Sequence, residues 1–191
     1  MEFRILGPLE VVSDEGPVEV PGVKPRTLLA LLLVHANRVV SQDRLAGELW
    51  GGAPPAAATT TLQTYVYQLR RALRIDWLRT RPGGYVLDVK DSAVDALRFE
   101  RTVSEVSQVE DASPRWVSLR LGEALAWWRG TALADFEGAP WARPEIARLA
   151  ELRLGAMEAL VDARLALGEH AVLVPELTSL VREHPLRERL W

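Results

Sequence analysis

Hydrophobic positions change their spacing along the chain, and each change marks an element. In FRILGPLEVV (3–12) and VEV (18–20), apolar residues form short β-like runs, broken by Gly7-Pro8, by DEGP at 14–17 and by Pro21-Gly22. Two or three short antiparallel strands are predicted. From Pro25, a residue suited to a first helical turn, RTLLALLLVHA predicts a helix running to Asn37. Ser41 is a good N-cap for a second helix, QDRLAGELW (42–50), with Asp43 favourably placed in its first turn. GGAPPAAA (51–58) reads as a loop whose prolines make it stiff; plain connection is favoured over a contact surface. A third helix, TTTLQTYVYQLRRALR (59–74), precedes WLRTRPGGYVLDV (77–89), a strand, Pro-Gly-Gly turn and strand.

The third helix carries the most information. At 100° per residue, Leu62, Tyr65, Val66, Leu69, Ala72 and Leu73 share one face. Thr60, Gln63, Thr64, Tyr67, Gln68, Arg70, Arg71 and Arg74 share the other, without one carboxylate. A solvated helix ordinarily mixes Glu with its Arg and Lys, because opposite charges three and four apart support each other. The bland reading is a solvated face that happens to lack acids. The other reading is a face that meets a polyanion, and the hairpin favours it. Arg79 and Arg81 alternate onto one side of a strand, and Tyr85 stands across the turn, where it also suits a half-core position. Strands, three helices and a hairpin, in that order, are the layout of a winged helix-turn-helix, whose third helix enters the DNA major groove. Gln63, Thr64, Tyr67 and Gln68 then lie where base edges are reached. Gln pairs bidentately with adenine, and Thr or Tyr can touch a thymine methyl. Arg70, Arg71 and Arg74 lie toward the end and flank, better placed for phosphates.

From about Asp91 the periodicity is helical throughout: 94–108, 113–128, 144–168 and 171–184, with LRERLW (186–191) starting another helix. Met157 to Pro185, with helix, Gly turn, helix and Pro, resembles a tetratricopeptide unit. A solenoid pair normally needs a neighbour to cover it, so a longer protein is expected. The fold expected is mainly α with small β: a winged helix at 1–90 and an all-α, tetratricopeptide-like domain at 91–191.

Composition sharpens this picture. Of 191 residues 48% are hydrophobic and 26% charged, as in a globular protein, and the longest apolar run, LLALLLV at 28–34, is far too short to span a membrane. No signal peptide is visible at MEFRILG, and the absence of Cys fits a reducing cytoplasm. The net charge of −3 divides unevenly, with 11 basic and 9 acidic residues in 1–90 but 12 and 17 in 91–191. Between 59 and 85 five arginines face only Asp76. Basic character that is local in this way is what a nucleic-acid footprint looks like. Trp127, Trp128 and Trp141 are expected to fill the core of the helical half, with exposed docking the alternative for one of them.

An enzyme finds no support in these residues. His35, His170 and His184 share no ligand spacing, and neither a phosphate-binding G-x-x-x-x-G-K-[ST] loop nor a G-x-S-x-G elbow occurs. No cofactor and no metal are expected.

ANRVVSQDRLAGELWGG, TLQTYVYQLRRAL and RTRPGGYVLDV resemble the OmpR-type DNA-binding domain of the actinobacterial antibiotic regulatory proteins. ALAWWRGTALADFEGAPWARPEIARLAELRL and the run from DARLALGEH to Trp191 resemble their bacterial transcriptional activation domain. The resemblance implies an activator of secondary-metabolite gene clusters. It would bind tandem direct repeats near a promoter's −35 region as paired protomers and recruit RNA polymerase with its sigma factor. By position it implies a recognition helix containing Thr60, Thr61, Gln63, Thr64, Tyr65, Gln68, Arg70 and Arg71, and a wing with Arg79, Arg81 and Tyr85. Gln68 stands where related sequences often have Arg; Arg favours guanine and Gln adenine, so base preference does not transfer. The family's activation domain extends past Trp191, and some members continue into an ATPase. OmpR-like response regulators carry a phosphoacceptor domain first, whereas DNA binding is expected here from Met1. The rivals are a helical interaction scaffold with a degenerate winged helix, and the N-terminal part of an ATP-dependent regulator.

Overall fold

A computed structural model describes residues 1–74 and 76–187 and is mainly α with small β. Three short strands open the chain: β1 (Glu2–Arg4), β2 (Glu10–Ser13) and β3 (Gly16–Pro17), antiparallel, with Phe3 opposite Val11. Then follow α1 (Val23–Val34), β4 (Val40–Ser41), α2 (Gln42–Leu49), α3 (Ala58–Leu73) and the hairpin β5 (Leu78–Arg81) and β6 (Gly84–Leu87). The second half contains α4 (Asp95–Gln108), α5 (Pro114–Leu125), α6 (Arg143–Ala166) and α7 (His170–Glu183).

Where elements differ from the pattern-based expectation, a tertiary contact explains it. The first helix stops at Val34, three residues early. Asn37 turns to a φ of 66°, donates its N–H to Leu87 and accepts from Val89 through its side chain at 2.8 Å, so β6 captures the chain. Pattern alone missed β4, two residues that exist as a strand only because Val40 pairs with Tyr85 and Ser41 with Gly84. At α5, Trp127 and Trp128 lie beyond the helix end. There the chain leaves in i−3 turns so that the Arg129 N–H can bond Leu6 O at 2.8 Å. The expected helix at 186–191 lies for the most part outside the described residues; Leu186 belongs to a turn.

α3 forms as its seam requires. Leu62, Val66, Leu69 and Leu73 are buried to 2% exposure or less, contributing about 1.5–3 kcal/mol each. Ser41 caps α2 by accepting from the Arg44 N–H at 3.2 Å.

One hydrophobic core runs through both halves, from Phe3 and Leu28 through Leu69 to Phe99, Leu121 and Leu149. Asp95, 2% exposed, joins them at the start of α4: its carboxylate accepts from the N–H groups of Ile5 (2.7 Å), Leu6 (3.1 Å) and Ala96 (2.8 Å), with Arg129 at 3.7 Å. Burial pushes its carboxyl above the usual carboxylate range, against those donors and Arg129. Asp135 adds a second tie, accepting from the Leu9 N–H and pairing with Arg26 at 2.7 Å. Orientation between the halves is thereby held by backbone as well as side chains. Trp127, Trp128 and Trp141 are half-buried against the core, Trp128 edge-on to Phe99 and Trp141 5.4 Å from Phe136. α6 and α7 pack through a small separate cluster of Leu154, Val161, Leu173 and Leu180.

Candidate nucleic-acid interface

α3 presents its polar face outward. Thr60, Gln63, Thr64, Tyr67, Gln68 and Arg71 are exposed, Tyr67 at 63%, and Thr61 is half-buried. No carboxylate lies in its first turn, and Ala57 provides no side-chain cap. The positive end of the helix dipole is therefore left for an anion. The Thr64 hydroxyl donates to Thr60 O one turn back at 3.1 Å. Arg74 ends the helix in the left-handed region, φ 50°, which turns the chain toward the hairpin.

The hairpin stands beside the helix. Its tip is Arg81-Pro82-Gly83-Gly84, and Gly83 supplies the positive φ of 79° that the two-residue turn demands. Gly84 is fixed for another reason: a Cβ there would sit 2.0 Å from Val40 O, so only glycine lets β4 close on β6. A hollow of about 630 Å³ separates helix from hairpin, lined by Arg70, Arg74, Arg79, Thr80 and Arg81 with Asp76. Tertiary folding thus brings four arginines from two elements around one space. On the other flank of α3 a groove of about 800 Å³ is lined by Tyr65, Gln68, Arg71 and Arg74 together with Val23 and Lys24.

Individual expectations fare differently. Arg71 and Arg81 are exposed, with no carboxylate in ion-pair distance among the described residues. Arg79 is not free of acid: it pairs with Asp88 at 2.9 Å, because Asp88 lies diagonally across the hairpin on the same face. Arg70 is half-buried. Its Nε donates to Leu78 O at 2.9 Å and an Nη to Thr80 Oγ1 at 3.0 Å, so it braces hairpin to helix. Tyr65 is half-buried and stacks on Trp50 with ring centroids 6.3 Å apart, which makes it a packing residue. Tyr85 requires correction as a contact. It is 3% exposed because its side chain packs into the hydrophobic core, and every β6 residue is buried. Lys24 was missed: it belongs to α1, and only its Nζ bond to Leu49 O and its position 6.0 Å over Trp50 bring it beside α3.

Among the described residues no group of His, Asp and Glu is arranged to hold a metal ion, and no helix is long and apolar enough to cross a membrane. Burial pushes the His35 imidazole down from its ordinary value, with Arg44 adding to it.

Comparison with known proteins matches residues 22–87 to the family model described as "Transcriptional regulatory protein, C terminal" and residues 94–191 to "Bacterial transcriptional activator domain". Regulatory protein DnrI of Streptomyces peucetius is 41% identical over 203 residues, spanning the whole of this chain and 75% of the relative. Regulatory protein AfsR of Streptomyces griseus is 35% identical over 191 residues, again spanning this whole chain but only 20% of that larger protein. Among solved structures, Mycobacterium tuberculosis EmbR, determined in complex with a low affinity phosphopeptide, superposes with a TM-score of 0.90 at 33% identity; the match covers all of this chain and 52% of EmbR.

Proposed function

The chain belongs to the actinobacterial antibiotic regulatory proteins, which are transcriptional regulators joining an OmpR-type domain to a bacterial transcriptional activator domain; from that premise we propose that it activates a secondary-metabolite gene cluster by binding promoter DNA through α3 and the β5–β6 hairpin. In this reading α3 lies in the major groove. Gln63, Thr64, Tyr67 and Gln68 face base edges, Arg71 and Arg74 meet phosphates, and Arg81 at the hairpin tip meets backbone or minor groove. Two protomers occupy tandem direct repeats near the −35 region, and the helical half contacts RNA polymerase with its sigma factor.

The observation that carries the reading is the acid-free exposed face of α3 set beside an arginine-tipped hairpin across one basic hollow. Such a surface attracts duplex DNA by releasing condensed counterions, so binding weakens linearly in log-log form as salt rises. The test is a salt titration of binding to the promoter beside the chain's own gene. Arg71→Ala and Arg81→Ala should each reduce the salt slope by about 1 and weaken all duplexes alike. Gln68→Ala should cost roughly 1–3 kcal/mol at the specific site while leaving nonspecific binding in place. Binding that is indifferent to salt and to both arginine substitutions would return the molecule to the scaffold reading.

The continuous core and the Asp95 clasp support a further element: the helical half moves with the DNA-binding half as one body. A polymerase contact on α4–α7 would then be held at a set place relative to the bound repeat. Footprints with and without polymerase check this, an extended footprint downstream of the repeats being the expected result.

A further inference from the structure

The buried seam of α3 holds the helix down on the core, but a seam along one face resists roll about the helix axis only weakly. Two flanking contacts oppose that roll. At 100° per residue, Tyr65 lies about 70° to one side of the centre of the seam formed by Leu62, Val66, Leu69 and Leu73, and Arg70 about 70° to the other. Arg70 is fixed to the hairpin through Leu78 O and Thr80 Oγ1. Tyr65 is fixed by a chain of contacts that starts in α1. Its ring stacks on Trp50, the residue that closes α2, with the ring planes 23° apart. The Lys24 ammonium lies 6.0 Å from the centre of the Trp50 ring and donates to Leu49 O. That carbonyl belongs to the last turn of α2, where acceptors lack intrahelical donors and the helix dipole favours a cation. Residues 51–57, which join α2 to α3, are exposed throughout, so side chains rather than the connection decide how α3 sits on α2.

We propose that Lys24 is a positioning residue for sequence reading: through Trp50 and Tyr65 it sets the roll of α3 and so the aim of Gln68. This inference rests on the reading of α3 as the recognition helix. Gln68 lies one turn beyond Tyr65 on the same flank, and both line the groove that Lys24 also lines. Rolling a helix by about 10° carries a side-chain tip about 6 Å from its axis through about 1 Å. A displacement of that size takes paired hydrogen bonds to a base edge out of their working range of roughly 2.7–3.2 Å. Phosphate contacts survive it, because attraction between charges falls slowly with distance and arginine side chains are long. Lys24 therefore bears on which duplex is preferred and not on how strongly any duplex is held. An ammonium suits the place, since it can donate to a carbonyl while its charge faces an aromatic ring.

The test compares binding to the promoter duplex beside the chain's own gene with binding to a scrambled duplex of equal length. Lys24→Met, which keeps most of the stem and drops the ammonium, should reduce the ratio of the two affinities about fivefold or more, the discrimination carried by one paired base contact. Affinity for the scrambled duplex and the salt slope should stay as in wild type. Lys24→Arg, which can still donate to Leu49 O and lie over Trp50, should keep the ratio within about twofold of wild type. Trp50→Leu interrupts the same chain of contacts, so Lys24→Met combined with Trp50→Leu should lose no more discrimination than the worse single variant. Without DNA, the ¹⁵N-labelled chain should show the amide resonances of Tyr65 and Gln68 shifted in Lys24→Met and restored in Lys24→Arg. Weakening of both duplexes alike, with a slope reduced by about 0.9, would mean that Lys24 itself meets a phosphate and would overturn the proposal. A lowered urea midpoint with an unchanged affinity ratio would reduce Lys24 to packing and overturn it as well. Resonances of α3 that stay in place in Lys24→Met would refute the relay whatever the DNA arms show. A wild type without preference for the promoter duplex would instead remove the recognition-helix reading, and this inference with it.

Discussion

Replacing Arg70 by Met separates the two roles an arginine can take on this surface. Met keeps most of the stem and deletes the guanidinium, and with it the 2.9 Å bond to Leu78 O and the 3.0 Å bond to Thr80 Oγ1. Both reach from α3 to β5, so what is lost is the brace between helix and hairpin. A hydrogen bond of this kind contributes roughly 0.5–1.5 kcal/mol net, and Leu78 is only 1% exposed, so its carbonyl gains no full hydration in compensation. The pair is therefore worth about 2 kcal/mol. With a urea m-value of about 3 kcal/mol/M, the unfolding midpoint should fall by about 0.7 M at unchanged m. DNA binding should weaken for a second reason. A hairpin no longer held against α3 must be ordered on binding, at about 0.5–1.5 kcal/mol, or about two- to thirteenfold in Kd. The salt slope should not change, because no phosphate contact has gone. Arg70→Lys should behave like Arg70→Met in the urea titration, since an ammonium cannot make both bonds in the planar geometry of the fork. Urea unfolding and salt-titrated DNA binding, run on the same three proteins, decide the matter. A slope reduced by about 0.9 with an unchanged unfolding midpoint would mean that Arg70 meets a phosphate and that the brace is incidental.

Other expectations follow from single contacts. Asp95→Ala leaves the N–H groups of the fully buried Ile5 and Leu6 without an acceptor, and at about 1–3 kcal/mol each the chain should lose about 4 kcal/mol, measured by urea unfolding; a loss under about 1 kcal/mol would dismiss the clasp. The folded-state pKa of Asp95 is raised, so its protonated form is favoured by folding. That contribution is fully present below the ordinary carboxylate pKa and is lost as pH rises through the raised value. Wild type should therefore lose stability relative to Asp95→Asn as the pH of unfolding is stepped upward from about 3 to 6. Gly84→Ala drives a methyl into Val40 O and should cost at least about 3 kcal/mol, with loss of the β4–β6 pairing visible as rapid amide exchange at Val40 and Tyr85.

The amphipathic period of α3, the Ser41 cap and the Pro82-Gly83 turn were legible from residues alone, because each is set by neighbours a few positions away. So was the absence of acid from the outward face of α3, which needs no coordinates to see. Local pattern could not tell how each arginine is spent. Arg70, Arg71 and Arg79 are alike on paper, yet the fold places Leu78 and Thr80 against the first, no carboxylate within ion-pair distance of the second among the described residues, and Asp88 beside the third. Tyr85 read as half core and half contact because alternation assigns a side chain to a face but not what covers that face; the folded chain packs that face into the core. Lys24 joined the flank of α3, and Asp95 joined the two halves, through partners many residues away in the chain. Periodicity and turn chemistry decide which elements form, because their free energies are local. Which cations remain available to a polyanion is decided by long-range pairing, and that exists only once the chain has folded.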